Sequence, residues 1–457
     1  MIRLKSPIVL IALLVLSTVF QPVEAQSIQT KMPNVVVLFS DDAGYADFGF
    51  QPDCSEDMKQ LTPYIDSIAA DGARFSNAYM SGPVCSPSRA GLMTGRYQQR
   101  FGYDNNLPPG FESGLDLSET FMSTRLRELG YSTGLIGKWH LGYPDQYHPN
   151  ERGFDWFYGC LQGSRSYFPI EQPSPHRVIL ENREPTAETS YVTDRFGEAA
   201  CRFITEHKDE PFFLFVSFTT PHGPLQPKES DAERTAHIEA TKRSKYAGLI
   251  VSLDDNVGRI LSCLDEYGLE ENTLVIFTND NGGQTKTGAM NTPLQGSKGQ
   301  IWEGGIRVPW AMRLPGTIEA GSVIDDPVIA LDILPTIVEL SGHEIQAEWE
   351  LDGISLYPRL SGETDSLPQR PLFWRAGGTH GRRAMRMGEW KIVDNRDGRD
   401  GEPVPMLFNL STDIAEENDL SDEHPEVLGN LIDRLDEWES ELVPVPYWGP
   451  GSNTSNR

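Results

Sequence analysis

The chain has 457 residues, 38% of them hydrophobic, with 39 Lys and Arg against 66 Asp and Glu and a formal charge of −27. This length suits one large domain plus a smaller one, and the apolar fraction is that of a globular enzyme. The acidic balance excludes the basic footprint of a nucleic-acid-binding protein, and an anionic substrate would have to be drawn in by a local basic site.

The first 25 residues read as a secretory signal. Arg3 and Lys5 precede an apolar run from Ile8 to Phe20, and Val23-Glu24-Ala25 offers a small-residue cleavage site. That run is short for a bilayer span, and no other segment approaches ~20 apolar residues. The expectation is an exported protein, periplasmic or secreted, with no stable membrane insertion.

The first strand is read at 34–40, a near-continuous apolar run suited to burial on both faces, ending at Asp41-Asp42. Thr62-Pro63 reads as an N-cap and first helical position, with Gly72 past the helix end. Further strands are read at 132–138, 211–218 and 273–278. Between the last two, Tyr246, Leu249, Ile250, Leu253, Val257, Ile260, Leu261 and Leu264 recur at spacings of three and four, marking a long amphipathic helix stopped by Gly268. Strands alternating with helices predict an α/β fold with a largely parallel sheet.

The pattern changes around 351–356. After Pro368 short strands follow, including 384–393, then a helix near 425–442 and a Pro-, Gly- and Asn-rich tail. The expected layout is a signal at 1–25, a catalytic domain at 26–365, and a smaller C-terminal α+β domain with a short antiparallel sheet at 366–457. The five cysteines, at 54, 85, 160, 201 and 263, follow no metal-binding spacing, and their pairing is not readable.

In an open α/β sheet, ligands bind beyond the carboxyl ends of the strands. Four strand ends here carry polar residues: Asp41-Asp42, Lys138-Trp139-His140, Pro221-His222 and Asn279-Asp280-Asn281-Gly282-Gly283. Each alone has an ordinary structural reading as a cap, a satisfied histidine or a turn.

Cys85-Ser86-Pro87-Ser88-Arg89, extended by Ala90-Gly91-Leu92-Met93-Thr94-Gly95-Arg96, resembles the formylglycine-forming signature of type I sulfatases, members of the alkaline phosphatase superfamily. The four strand ends, Gly296-Ser297-Lys298-Gly299, Trp302-Glu303-Gly304-Gly305 and the 383–391 and 407–410 segments continue the match over roughly residues 33 to 420. The resemblance implies an alkaline-phosphatase-like fold and a sulfuric ester hydrolase. It implies that a maturation enzyme oxidises Cys85 to an aldehyde, whose hydrate attacks sulfur. It also implies that Asp41, Asp42, Asp280 and Asn281, with residue 85, hold a divalent cation. That hard oxygen shell suits calcium, or magnesium, over a soft transition metal.

Further roles follow from the resemblance. Arg89 would stabilise the hydrated aldehyde or the carboxylates, and Lys138 would bridge residue 85 and the sulfate. His140 would act as base, and His222 and Lys298 would flank the ester, with His222 favoured as acid. Substrate selection is expected in 147–149, 163–168 and 380–383, with His148 and Arg165 as candidates for a sulfated carbohydrate. The alternatives are a phosphonate or phosphodiester hydrolase of the same superfamily, or a non-catalytic sulfoglycan-binding protein should Cys85 remain a thiol.

Overall fold

The computed structural model describes residues 32–187, 189–378, 381–395 and 405–443. The signal expected at 1–25 and nearly all of the expected tail lie outside the described residues. No described helix is long and apolar enough to cross a membrane.

A ten-stranded sheet organises the larger part. Its order is Ser322–Ile324, Ala73–Phe75, Ala311–Arg313, Thr273–Asn279, Asn34–Ser40, Phe212–Ser217, Ser132–Lys138, Trp156–Cys160, Leu180–Glu181 and Glu184–Pro185. The five central strands, from Thr273–Asn279 to Trp156–Cys160, run parallel, and antiparallel strands flank them. Register is continuous: Val35 sits beside Phe213 on one side and Leu274 on the other.

The apolar runs read from the sequence are explained by this placement. Val35, Val37 and Phe39 enter one core with Phe213, Phe215, Leu274 and Ile276, while Val36 and Leu38 enter the opposite core with Leu214, Val216, Val275 and Phe277. A strand buried on both faces needs apolar residues at every position, and each such side chain contributes about 1.5–3 kcal/mol. Helices Val192–His207 and Thr241–Glu266 cover the second face. The long helix ends where expected, with Gly268 at φ +64°.

The helix at Pro63–Ala70 departs from expectation at its start. Thr62 precedes it but makes no side-chain cap bond; its Oγ1 accepts from Gly49 N at 2.9 Å and donates to Asp66 at 3.0 Å. The cap comes from another element, as Asp254 of the long helix accepts from Ile65 N at 2.8 Å.

The later part forms a four-stranded antiparallel sheet, Pro371–Ala376, Arg382–Met387, Trp390–Asp394 and Met406–Asn409, with helix Pro425–Ser440 against it. It is joined firmly to the larger layer. Trp374 Nε1 donates to Met80 O at 2.7 Å, and Arg375 meets Asp104 at 3.0 Å. Lys391, fully buried, lies 2.9 Å from Glu303 and 2.8 Å from Glu416.

Candidate active site

All five parallel strands end at one rim of the sheet, and the side chains singled out in the sequence emerge there. Ser40 leads into Asp41-Asp42, Lys138 into Trp139-His140, Asn279 into Asp280-Asn281, and the strand ending at Ser217 into His222. The fifth strand leads from Cys160 into Gln162-Gly163-Ser164, a fifth strand end beside the four that the sequence marks with polar residues. Asp42 and His140 hold the left-handed backbone at φ +69° and +61°, a conformation uncommon for non-glycine residues.

Cys85 opens the helix Cys85–Thr94, which stops at Gly95 in the left-handed conformation. The Ser86 N–H donates to Asn106 Oδ1 at 2.9 Å, fixing the loop over the helix start. Cys85 is 2% exposed. Its Sγ lies 3.5 Å from Asp41, 3.9 Å from Asp42 and 3.1 Å from Lys298 Nζ. Burial, then the Asp280 charge, push its thiol far above the ordinary range, so the unmodified sulfur is a neutral and poor nucleophile.

The carboxylates are held by cations. Lys138 Nζ donates to both oxygens of Asp41 at 2.8 and 2.7 Å, Arg89 Nη2 meets Asp280 at 3.0 Å, and Lys298 Nζ meets Asp42 at 2.6 Å. Burial and the neighbouring Asp280 raise Asp41 to about 6. Burial acts the same way on Asp42 and Asp280, but is outweighed: Lys298 and His222 hold Asp42 low, and Arg89 and Lys138 hold Asp280 low. Burial opposes the charge on Lys298, but the Asp42, Asp41 and Asp280 carboxylates outweigh it and move Lys298 well above its ordinary value.

Asp41, Asp42, Cys85 and Asp280 offer ligand atoms that all lie within 4.8 Å of one another. Asn281 completes the group. Its Nδ2 donates to Asp42 at 2.9 Å, while its Oδ1, fully buried, has no hydrogen-bond partner among the described residues. A buried carbonyl oxygen without a donor beside three carboxylates is the environment a hard cation satisfies. The residues present fit that group.

The two histidines are oriented differently. His222 Nδ1 donates to Gly223 O at 2.7 Å, which leaves Nε2 facing the site, 3.6 Å from Asp42. His140 Nε2 donates to Leu107 O at 3.3 Å, and its buried Nδ1 is without a partner among the described residues. Burial, then Lys138, keep His140 neutral by holding it well below its usual value. Gly163 lies against this ring, where a Cβ would sit 2.4 Å from the imidazole, so any larger residue has to displace the ring.

Cys85, His140, His222 and Lys298 open into one cavity of 240 Å³, walled also by Asn106, Tyr143, Gln162 and Ser164. Of the residues in this list, Asn106, Tyr143 and Gln162 were missed in the sequence. Gln162 could have been found, since it follows an apolar strand as the others do.

The substrate candidates fare differently. His148 is buried and outside this cavity; its Nδ1 accepts from Asn150 N at 3.3 Å and its ring packs edge-on to Phe157. Burial, then Arg183, lower it to about 4, and its place is structural. Arg165 reaches the wall of a neighbouring cleft, but Nη1 and Nε donate to the backbone carbonyls of Arg177 and Ser166. Arg382 donates to Gly299 O at 2.9 Å, beside Lys298, and His380 lies outside the described residues.

A rim of parallel strands bearing a buried carboxylate cluster, two lysines, two histidines and a cysteine at a helix start defines a hydrolase of anionic esters. The sulfatase family model matches residues 33–343, and the chain belongs to that family of sulfuric ester hydrolases. It is 30% identical to mouse (Mus musculus) N-acetylgalactosamine-6-sulfatase, covering 90% of this chain and 87% of that protein. Arylsulfatase J of the same species is 29% identical over 95% and 83% of the two chains. Among solved structures, Ps i-CgsB in complex with k-i-k-neocarrahexaose superposes with a TM-score of 0.85 at 34% identity, over 92% of this chain and 95% of that one.

Proposed function

We propose that this protein is an exported, cation-dependent sulfatase that removes sulfate from a sulfated oligosaccharide, with residue 85 matured to formylglycine. The observation that carries the reading is the meeting of Cys85, at a helix start, with three carboxylates and the unpartnered Oδ1 of Asn281. The solved neighbour with bound neocarrahexaose and the galactosamine-6-sulfatase relative favour a carbohydrate ester. Within this reading, residues 26–365 are the catalytic domain and 366–457 the smaller C-terminal domain.

Asp41, Asp42, Asp280 and Asn281 would hold calcium, or magnesium, which when bound draws charge from the sulfate oxygens. Residue 85, once oxidised and hydrated, supplies the hydroxyl that attacks sulfur. The protein's own groups do the rest. Lys138 and Lys298 place positive charge beside residue 85, and the helix N-terminus adds its partial positive charge, so an anionic ester is held against the nucleophile. Arg89 fixes Asp280.

When the sulfur–oxygen bond to the sugar breaks, the sugar oxygen needs a proton. His222 is placed to give it from Nε2, because Nδ1 is fixed by Gly223 O. Lys298 is tied to Asp42 and serves to bind sulfate. His140, neutral with a free Nδ1, is the base that takes a proton when sulfate is expelled.

The test is sulfate release from defined sulfated oligosaccharides, among them the k-i-k-neocarrahexaose, by protein co-produced with a maturation enzyme and supplied with calcium. Mass spectrometry of the peptide around residue 85 reads the oxidation. Release with an aldehyde at residue 85 supports the proposal. An aldehyde with no release from any member, but turnover of phosphonate or phosphodiester probes, overturns it.

A further inference from the structure

The 240 Å³ cavity over Cys85 is smaller than the roughly 300–1,000 Å³ typical of a whole ligand site. It continues into a second, open cleft of 780 Å³. Ser164 belongs to both walls, and the segments that end the first cavity, 162–164 and His222, continue directly into the second through Arg165, Ser166 and Pro224. A chain threaded over the reacting centre would run on into this cleft.

Arg177 is the notable group there. Its Nε and Nη2 both reach the Gln162 side-chain oxygen at 3.0 Å, with the amide turned to accept them. Arg165 Nη1 donates to its backbone carbonyl at 2.9 Å and holds the segment in place. Arg177 is half-buried, and among the described residues no carboxylate forms an ion pair with it. By contrast, Arg89, Lys138 and Lys298 at the reacting centre each face a carboxylate. In a chain of net charge −27, a guanidinium with no ion-pair partner among the described residues, on a cleft wall that carries Glu171 elsewhere, is a ready anion receptor.

We propose that this cleft is a second sugar subsite in which Arg177 grips a sulfate on the unit adjoining the one being desulfated. The inference rests on the reading of the protein as a carbohydrate sulfatase. Gln162, wedged between Arg177 and the first cavity, is the positioning residue that aligns the guanidinium with the reacting end.

The parent enzyme, matured at residue 85, is compared with Arg177→Ala and Arg177→Lys on two oligosaccharides of equal length. One carries a single sulfate at the cleaved position, and the other a second sulfate on the adjoining unit. The expected result is that the preference in kcat/KM for the disulfated compound falls about tenfold in Arg177→Ala, through KM, and is partly restored in Arg177→Lys. The monosulfated compound corrects for general damage, and an unchanged preference overturns the inference. Absence of turnover by the parent would fail the hydrolytic reading alone. The cleft is then judged by calorimetric titration of the disulfated compound: about tenfold weaker binding to Arg177→Ala supports it, and equal or undetectable binding to both chains overturns it.

Discussion

Asp254 accepts the Ile65 N–H at 2.8 Å and the Tyr64 N–H at 3.3 Å, so the start of one helix is capped by a carboxylate 189 residues further along the chain. Burial raises this acid to about 7, with the two backbone donors opposing. A carboxyl whose pKa is higher in the folded than in the unfolded state gives stability that is present in full below its ordinary value near 4. That stability is lost as pH rises through about 7. Asp254→Asn keeps an acceptor for Ile65 and removes the titration. Thermal unfolding of both chains should therefore show the variant gaining on the parent by about 2–4 °C between pH 5 and pH 8. A gap independent of pH would refute the assignment.

Asp280→Ala frees Arg89 and removes one carboxylate from the cation cluster. Elemental analysis of the purified protein should find the bound divalent cation lost, and turnover should fall by roughly a thousandfold or more with circular dichroism preserved. Full activity in this variant would refute the ligand set.

His222→Gln separates leaving-group protonation from binding. On a sugar sulfate kcat should drop about 10²–10⁴-fold. On an aryl sulfate with an acidic phenol, which needs little protonation, the drop should be much smaller. Equal losses on both substrates would assign the proton to another group.

Gly163→Ala places a methyl against the His140 ring. The variant should fold, with a midpoint of denaturation near that of the parent, and lose at least about tenfold in kcat as the imidazole is displaced. Unchanged kcat would show that the ring's position is not critical.

Lys391→Met leaves Glu303 and Glu416 buried without their shared cation. Removing one partner of a buried cluster costs about 3–5 kcal/mol, which urea denaturation should register. The Lys391→Met, Glu416→Gln double variant should recover part of the loss.

The central sheet was legible because its strands are buried on both faces and so carry uninterrupted apolar runs; the strands at 34–40 and 132–138 fall where the sequence put them. The strands at 73–75 and 311–313 were not, since three residues carry no periodicity. Strand-end polar residues were legible for the same reason as the strands. Thr62 shows the limit: it has the right type and position for a cap, yet a distant carboxylate takes the task, a fact no local pattern holds. His148 looked like a ligand because histidine beside aromatics suits a sugar, but its ring is buried and packs edge-on against Phe157. Arg177 could not be singled out, because what distinguishes it, the lack of an ion-pair partner among the described residues, is a matter of space and not of sequence.

The common direction of the five central strands leaves the molecule with a working rim and an idle one. The connections that feed the strands, such as Lys208-Asp209-Glu210 ahead of Phe212 and Leu269-Glu270 ahead of Thr273, lie at the strand starts, opposite the rim that carries Asp41, Lys138, His222 and Asp280. Asp209 there is 90% exposed. A surface tether, a fluorophore or an inserted module placed after Asp209 would therefore face away from the substrate, so the enzyme can be fixed to a solid support with its mouth toward the solution.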